Sequence, residues 1–210
     1  MLKAMRLYYI HDPMCSWCWG FRPTWLALQE KLPNGIEVRK VLGGLAPDTD
    51  TSMPEDMRQR LQDTWRRIQT RIPGTEFNFD FWTHNQPRRA TYPACRAVLA
   101  AERLQSGRGD DMLLAIQRAY YTRALNPSDD AILIALATEL GLDGDRFKPL
   151  LASPEVAADL AMERQLTQSL GVSSFPSLVL DVDGSRWPIA VDYTDADSMI
   201  DEIGFILDDD

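Results

Sequence analysis

Apolar residues along this chain change period several times, and each change marks a boundary between elements. Arg6 to Ile10 is a short apolar and aromatic run broken at once by His11-Asp12-Pro13, the signature of a buried strand ending in a turn. From Trp17 the spacing becomes helical through Phe21, Trp25 and Leu28, until Pro33-Asn34-Gly35 stops it. Ile36 and Val38 then alternate with polar residues up to Val41-Leu42, a second strand. Gly43-Gly44 reads as the turn that ends it rather than as a phosphate loop, because no helix N-cap pattern follows.

The middle of the chain is helical. Met57, Leu61, Trp65, Ile68 and Ile72 step by four, four, three and four, which puts all five on one helix face. Thr91 to Leu104, Asp110 to Arg123 and Ser128 to Leu140 carry the same spacing, punctuated by Gly107, Pro127 and Gly141-Leu142-Asp143-Gly144. His84 and Arg88-Arg89 read as a solvated loop before the second of these helices. Ser153-Pro154 supplies an N-cap and a first-turn proline for a helix running to Leu170. Strand signals return at Leu178 to Val182, turn at Asp183-Gly184 and resume from Arg186 to Val191, an antiparallel hairpin. Met199, Ile200, Ile203 and Ile206 mark a last amphipathic helix, with Asp208-Asp209-Asp210 as a frayed acidic end. Neither the first nor the last third holds enough strands for a sheet alone. The reading is therefore an α/β domain built from residues 1–50 and 171–210, interrupted by an all-helical insertion at 51–170.

Composition narrows the functional classes. With 210 residues and 45% hydrophobic content the chain can bury a sizeable core, and its net charge of -9, with no compensating basic run, argues against nucleic acid as a partner. No apolar run approaches the roughly 18 residues of a membrane span. Met1 to Arg6 lacks the apolar stretch of a secretion signal, so a cytoplasmic location is expected. Three cysteines are an odd count, which suits one reactive pair and a spare thiol better than a disulfide framework.

The pair is Cys15-Ser16-Trp17-Cys18. Dithiol exchange needs one thiol that ionises readily and a second within reach to resolve the mixed disulfide, and two intervening residues allow that. At a helix start, Cys15 would face unpaired backbone N–H groups and the positive end of the helix dipole, while Cys18 would lie one turn inside. Ser16 could donate a hydrogen bond to a Cys15 thiolate, and Asp12, if close, would oppose it. The same spacing is also half of a zinc ligand set, or a pair of inert buried thiols. Cys95, His11 and His84 stand too isolated in sequence to complete a metal site, and no metal or organic cofactor is called for. Cys95, in a helix start, reads as a small buried hydrophobe.

Asp12-Pro13-Met14-Cys15-Ser16-Trp17-Cys18-Trp19-Gly20 resembles the active-site segment of the DsbA family, in its FrnE-like branch, with Pro23 matching the proline inside the active-site helix. Gly171-Val172-Ser173-Ser174-Phe175-Pro176-Ser177 is similar to the segment of that family that holds a cis-proline against the active-site cysteines. The resemblance implies a thioredoxin-like fold and a protein-disulfide reductase or isomerase in which Cys15 is the nucleophile and Cys18 resolves. It also implies a cis Phe175–Pro176 bond that offers backbone to a substrate. Met14, Trp17, Trp19, Phe21 and Phe175 are candidates for an apolar substrate groove, Phe21 being the one whose helix phase favours the core. The substrate-binding set is Ser16, Trp17, Phe175 and Pro176. Partners are a disulfide-bearing protein or a small thiol, glutathione among them. Two departures from the family leave the direction of electron flow open: no histidine lies between the cysteines, and Phe175 replaces a smaller residue. A glutathione-dependent transferase or isomerase of the kappa-class type and a redox-sensing adaptor are the alternatives. The kappa-class type usually carries serine in place of Cys15.

Overall fold

The computed structural model describes residues 4–209, without the Asp209 side chain, so the readings of Met1-Leu2-Lys3 and of Asp210 lie outside the described residues. β1 (Met5–His11) is the centre of a four-stranded sheet. It pairs parallel with β2 (Ile36–Leu42), Ile10 facing Val41, and antiparallel with β3 (Ser177–Val182), Leu7 facing Leu180. β4 (Ser185–Ile189) pairs antiparallel with β3, giving the order β2-β1-β3-β4. The strand runs through His11, so the break falls at Asp12-Pro13.

β1 reads as a continuous apolar run because both its faces are covered. Leu7 and Tyr9 pack on α1 (Ser16–Lys31) and α9 (Ala196–Asp209) through Phe21, Trp25, Leu28, Met199 and Ile203. Tyr8 and Ile10 face Leu166 and Leu170 at the end of α8 (Pro154–Ser169). α8 also ties down the end of β2, since the Glu163 carboxylate accepts the Leu42 N–H at 2.9 Å.

A second core lies among the other helices between β2 and β3: α2 (Glu55–Arg71), α3 (Phe81–His84), α4 (Tyr92–Leu104), α5 (Gly109–Tyr121), α6 (Asp130–Glu139) and α7 (Gly144–Leu151). Trp65 stands at its centre, ringed by Phe77, Phe79, Phe81, Trp82, Tyr120 and Tyr121. α3 and α7 are absent from the sequence reading. α3 is a single turn, and α7 starts inside what reads as a breaker: Asp143 is its N-cap, accepting from Asp145 N and Arg146 N, and Pro149 lies within it. Two further expectations are corrected. Arg88 is held by Asp129 at 2.6 Å and by the Ser128 carbonyl rather than solvated in a loop, and Asp208 and Asp209 belong to α9 rather than to a frayed end.

Gly20 lets α1 approach α2. A methyl group there would lie 2.8 Å from Ile72 Cδ1 and 3.0 Å from Ile68 Cγ2, inside van der Waals contact. Alanine favours a helix over glycine by up to about 1 kcal/mol, while overpacking costs roughly 1–3 kcal/mol. Gly20→Ala is therefore expected to lose about 1 kcal/mol net, measured as a lower urea midpoint at unchanged slope.

Candidate active site

Cys15 is the N-cap of α1. Its backbone is extended, its N–H donates to the Asp12 carbonyl at 3.1 Å, and its Sγ accepts the Cys18 N–H at 3.3 Å. The sulfur thus occupies the place where the first N–H groups of a helix and its dipole favour negative charge. From the far side of the sequence the Phe175 carbonyl oxygen lies 3.4 Å from Cys15 Sγ and accepts from the thiol. Phe175–Pro176 is a cis peptide bond immediately before β3. Both cysteines are free thiols; Cys15 is 5% exposed and Cys18 fully buried.

Burial pushes the Cys18 thiol well above its ordinary range, with the Cys15 sulfur beside it adding to the rise. Behind Cys18 lies a cavity of about 100 Å³ whose polar lining includes Tyr9, Arg22, Lys40, Asp110 and Gln117. Cys15 is thus the more accessible sulfur of the pair, and burial favours the protonated thiol at Cys18.

The aromatic candidates separate. Met14 and Phe21 are core residues. Trp19 stacks on Tyr121 at 5.6 Å and donates from Nε1 to the Glu76 carbonyl, so it is partly buried against the helical core. Trp17 and Phe175 stay partly exposed next to Cys15. Ser16 is buried, and among the described residues its hydroxyl makes no hydrogen bond to Cys15; the Cys18 amide takes that role. Gly43 does more than end a strand, because the Phe175 ring lies against it and a Cβ there would fall 2.0 Å from Cζ.

Two contributors escaped the sequence reading. Tyr193, in the loop before α9, packs on Trp17 at 4.9 Å, and its hydroxyl is pushed up to about 12 by burial and by the nearby thiols. It also lines a cleft of about 450 Å³ beside α1, together with Trp19, Arg22, Thr24, Ile72 and Glu76. The other contributor is the surroundings of Asp12. This fully buried carboxylate accepts from Met14 N (2.8 Å), Leu45 N (2.8 Å), Thr91 Oγ1 (2.7 Å) and Cys95 Sγ (3.6 Å). Cys95 is buried, as its sequence context suggests, and it also reaches the active-site turn through Asp12.

The family model described as thioredoxin matches residues 8–187. Among solved structures, a putative protein disulfide isomerase from Nitrosomonas europaea superposes with a TM-score of 0.83 at 29% identity, covering 98% of each chain. The cytosolic disulfide reductase DsbM from Pseudomonas aeruginosa, solved also with GSH, superposes at 0.75 with 28% identity over 98% of this chain and 100% of that one. The ClpXP adapter protein SpxH of Halalkalibacterium halodurans is 27% identical over 181 residues, 84% of this chain but 58% of that protein, so the chain spans somewhat over half the length of this relative. Sheet order, the capping Cys15 opposite Phe175–Pro176 and these likenesses agree, and the chain belongs to the thioredoxin family in its DsbA-like form.

Proposed function

We propose that the protein is a cytoplasmic thiol-disulfide oxidoreductase of the reductase or isomerase type, in the FrnE-like branch. The observation that carries this reading is the placement of Cys15 Sγ at a helix N-terminus, between the Cys18 amide and the Phe175 carbonyl. In the reductive direction the Cys15 thiolate attacks a substrate disulfide, forming a Cys15–substrate mixed disulfide and releasing one substrate thiolate. Cys18 then attacks the Cys15 sulfur. A Cys15–Cys18 disulfide forms, the bond to substrate breaks, and the proton shed by Cys18 ends on the departing thiolate. Two molecules of a small thiol restore the dithiol and leave as their disulfide.

Glutathione fits that last role, supported by the neighbour solved with GSH and by the cleft beside α1. Trp17 and Phe175 form the exposed part of the substrate contact, with Phe175 offering backbone for strand-like pairing; Ser16 and Pro176 are buried beneath it. Residues 1–50 and 171–210 carry the dithiol, and the helical unit 51–170 walls it on one side. The test is insulin reduction driven by glutathione and glutathione reductase: wild type is expected to turn over and Cys15→Ser to fall to the buffer rate.

A second reading, an adaptor whose thiols sense redox state, draws on the SpxH likeness. A wild-type chain that forms the Cys15–Cys18 disulfide yet turns over no substrate would favour it.

A further inference from the structure

Asp12 is a carboxylate with no exposure and four hydrogen-bond donors, none of which carries a positive charge. All four partners can donate to it, and two of them are backbone N–H groups that cannot accept a carboxylic proton. The network spans three segments: the active-site turn at Met14, the loop after β2 at Leu45, and Thr91 and Cys95 on the helical side. Arg89 is the cation that acts on it from a distance. The backbone of Asp12 closes on the dithiol as well: its carbonyl accepts from Cys15 N at 3.1 Å, and its N–H favours negative charge on the Cys18 sulfur.

We propose that Asp12 is a positioning residue that keeps the Cys15–Cys18 couple reducing, by holding the turn into α1 and by keeping an uncompensated negative charge beside the thiols. The oxidised couple is neutral, whereas the reduced couple shares negative charge through its thiolate. A fixed anion in a water-poor interior destabilises only the reduced form. A couple whose reduced form is destabilised gives up its electrons more readily. This inference rests on the oxidoreductase reading and adds a direction to it.

The test is the equilibrium between the dithiol and oxidised glutathione, which yields the Cys15–Cys18 disulfide and two molecules of glutathione, measured at pH 7 by alkylation and mass spectrometry. Asp12→Asn is expected to shift that equilibrium about tenfold toward the dithiol, a potential about 30 mV less negative for a two-electron couple. Thr91→Val loosens the same network while three donors still hold the charge, so it should lower thermal stability and move the equilibrium less than twofold. Asp12→Ser, a smaller neutral replacement, serves as the second variant. The proposal is overturned if Asp12→Asn stays within twofold of wild type, if it shifts toward the disulfide, if Thr91→Val shifts as far as Asp12→Asn, or if neither neutral variant folds. A wild type that forms no Cys15–Cys18 disulfide at all would instead refute the oxidoreductase reading itself.

Discussion

On the proposed oxidoreductase reading, Cys18→Ser is expected to arrest the reaction at the mixed disulfide. The variant keeps Cys15 at the helix N-terminus, so the first attack proceeds, but the sulfur held one turn below it is gone. An intramolecular thiol acts at an effective concentration far above the millimolar thiol pool. Losing it should slow turnover by at least about a hundredfold. Substrate incubated with Cys18→Ser should remain covalently attached to Cys15, visible as a mass increment that disappears on reduction, while Cys15→Ser should acquire none. Wild-type turnover by Cys18→Ser without an adduct would show that Cys15 works alone and that Cys18 is not the resolving thiol.

Acidification will destabilise the protein well above the range in which exposed carboxylates titrate, because of His11. This last residue of β1 is 3% exposed and stacks on Tyr9 at 4.9 Å. Burial lowers its pKa from 6.5 to about 3, with the Lys40 ammonium adding to the effect. The folded value lies below the unfolded one, so the contribution is fully present above pH 6.5 and is lost as pH falls toward about 3. The loss accumulates at up to about 1.4 kcal/mol per pH unit and reaches roughly 5 kcal/mol. Asp12 acts in the opposite sense: burial raises its pKa, so stability tied to it returns as pH falls through its folded value. Urea unfolding from pH 7 to pH 4 should therefore compare wild type with His11→Asn. The variant is expected to start less stable and to lose less on acidification, and parallel pH curves for the two proteins would refute the assignment.

How much of this could be read from the chain varied with the range of the contact. The dithiol at a helix start and the cis bond before a strand both rest on local segments, and the matching motifs pointed to them directly. Helices with a clear apolar stripe, such as the one through Trp65 and Ile68, were equally legible. α7 was not, because Gly141-Leu142-Asp143-Gly144 at its start reads as a breaker, while its real signal is the Asp143 cap. Helix phase placed Phe21 in the core but left Trp19 open, since its stacking partner Tyr121 lies on another element. Asp12 is the sharpest case. Its proximity to Cys15 suggests an electrostatic role, but Leu45, Thr91 and Cys95 lie 33, 79 and 83 positions away, and no local pattern links them.

The strand order has a consequence for the life of the molecule before it is finished. β1 and α1 leave the ribosome early, yet β1 must wait for β3, whose Leu180 pairs with its Leu7, and the carbonyl over Cys15 comes from Phe175 just ahead of β3. Contacts of such sequence separation form late. The nascent chain therefore carries its dithiol without its roof until Phe175 and β3 have been made, and over that interval the thiols are more open to oxidants than in the folded protein.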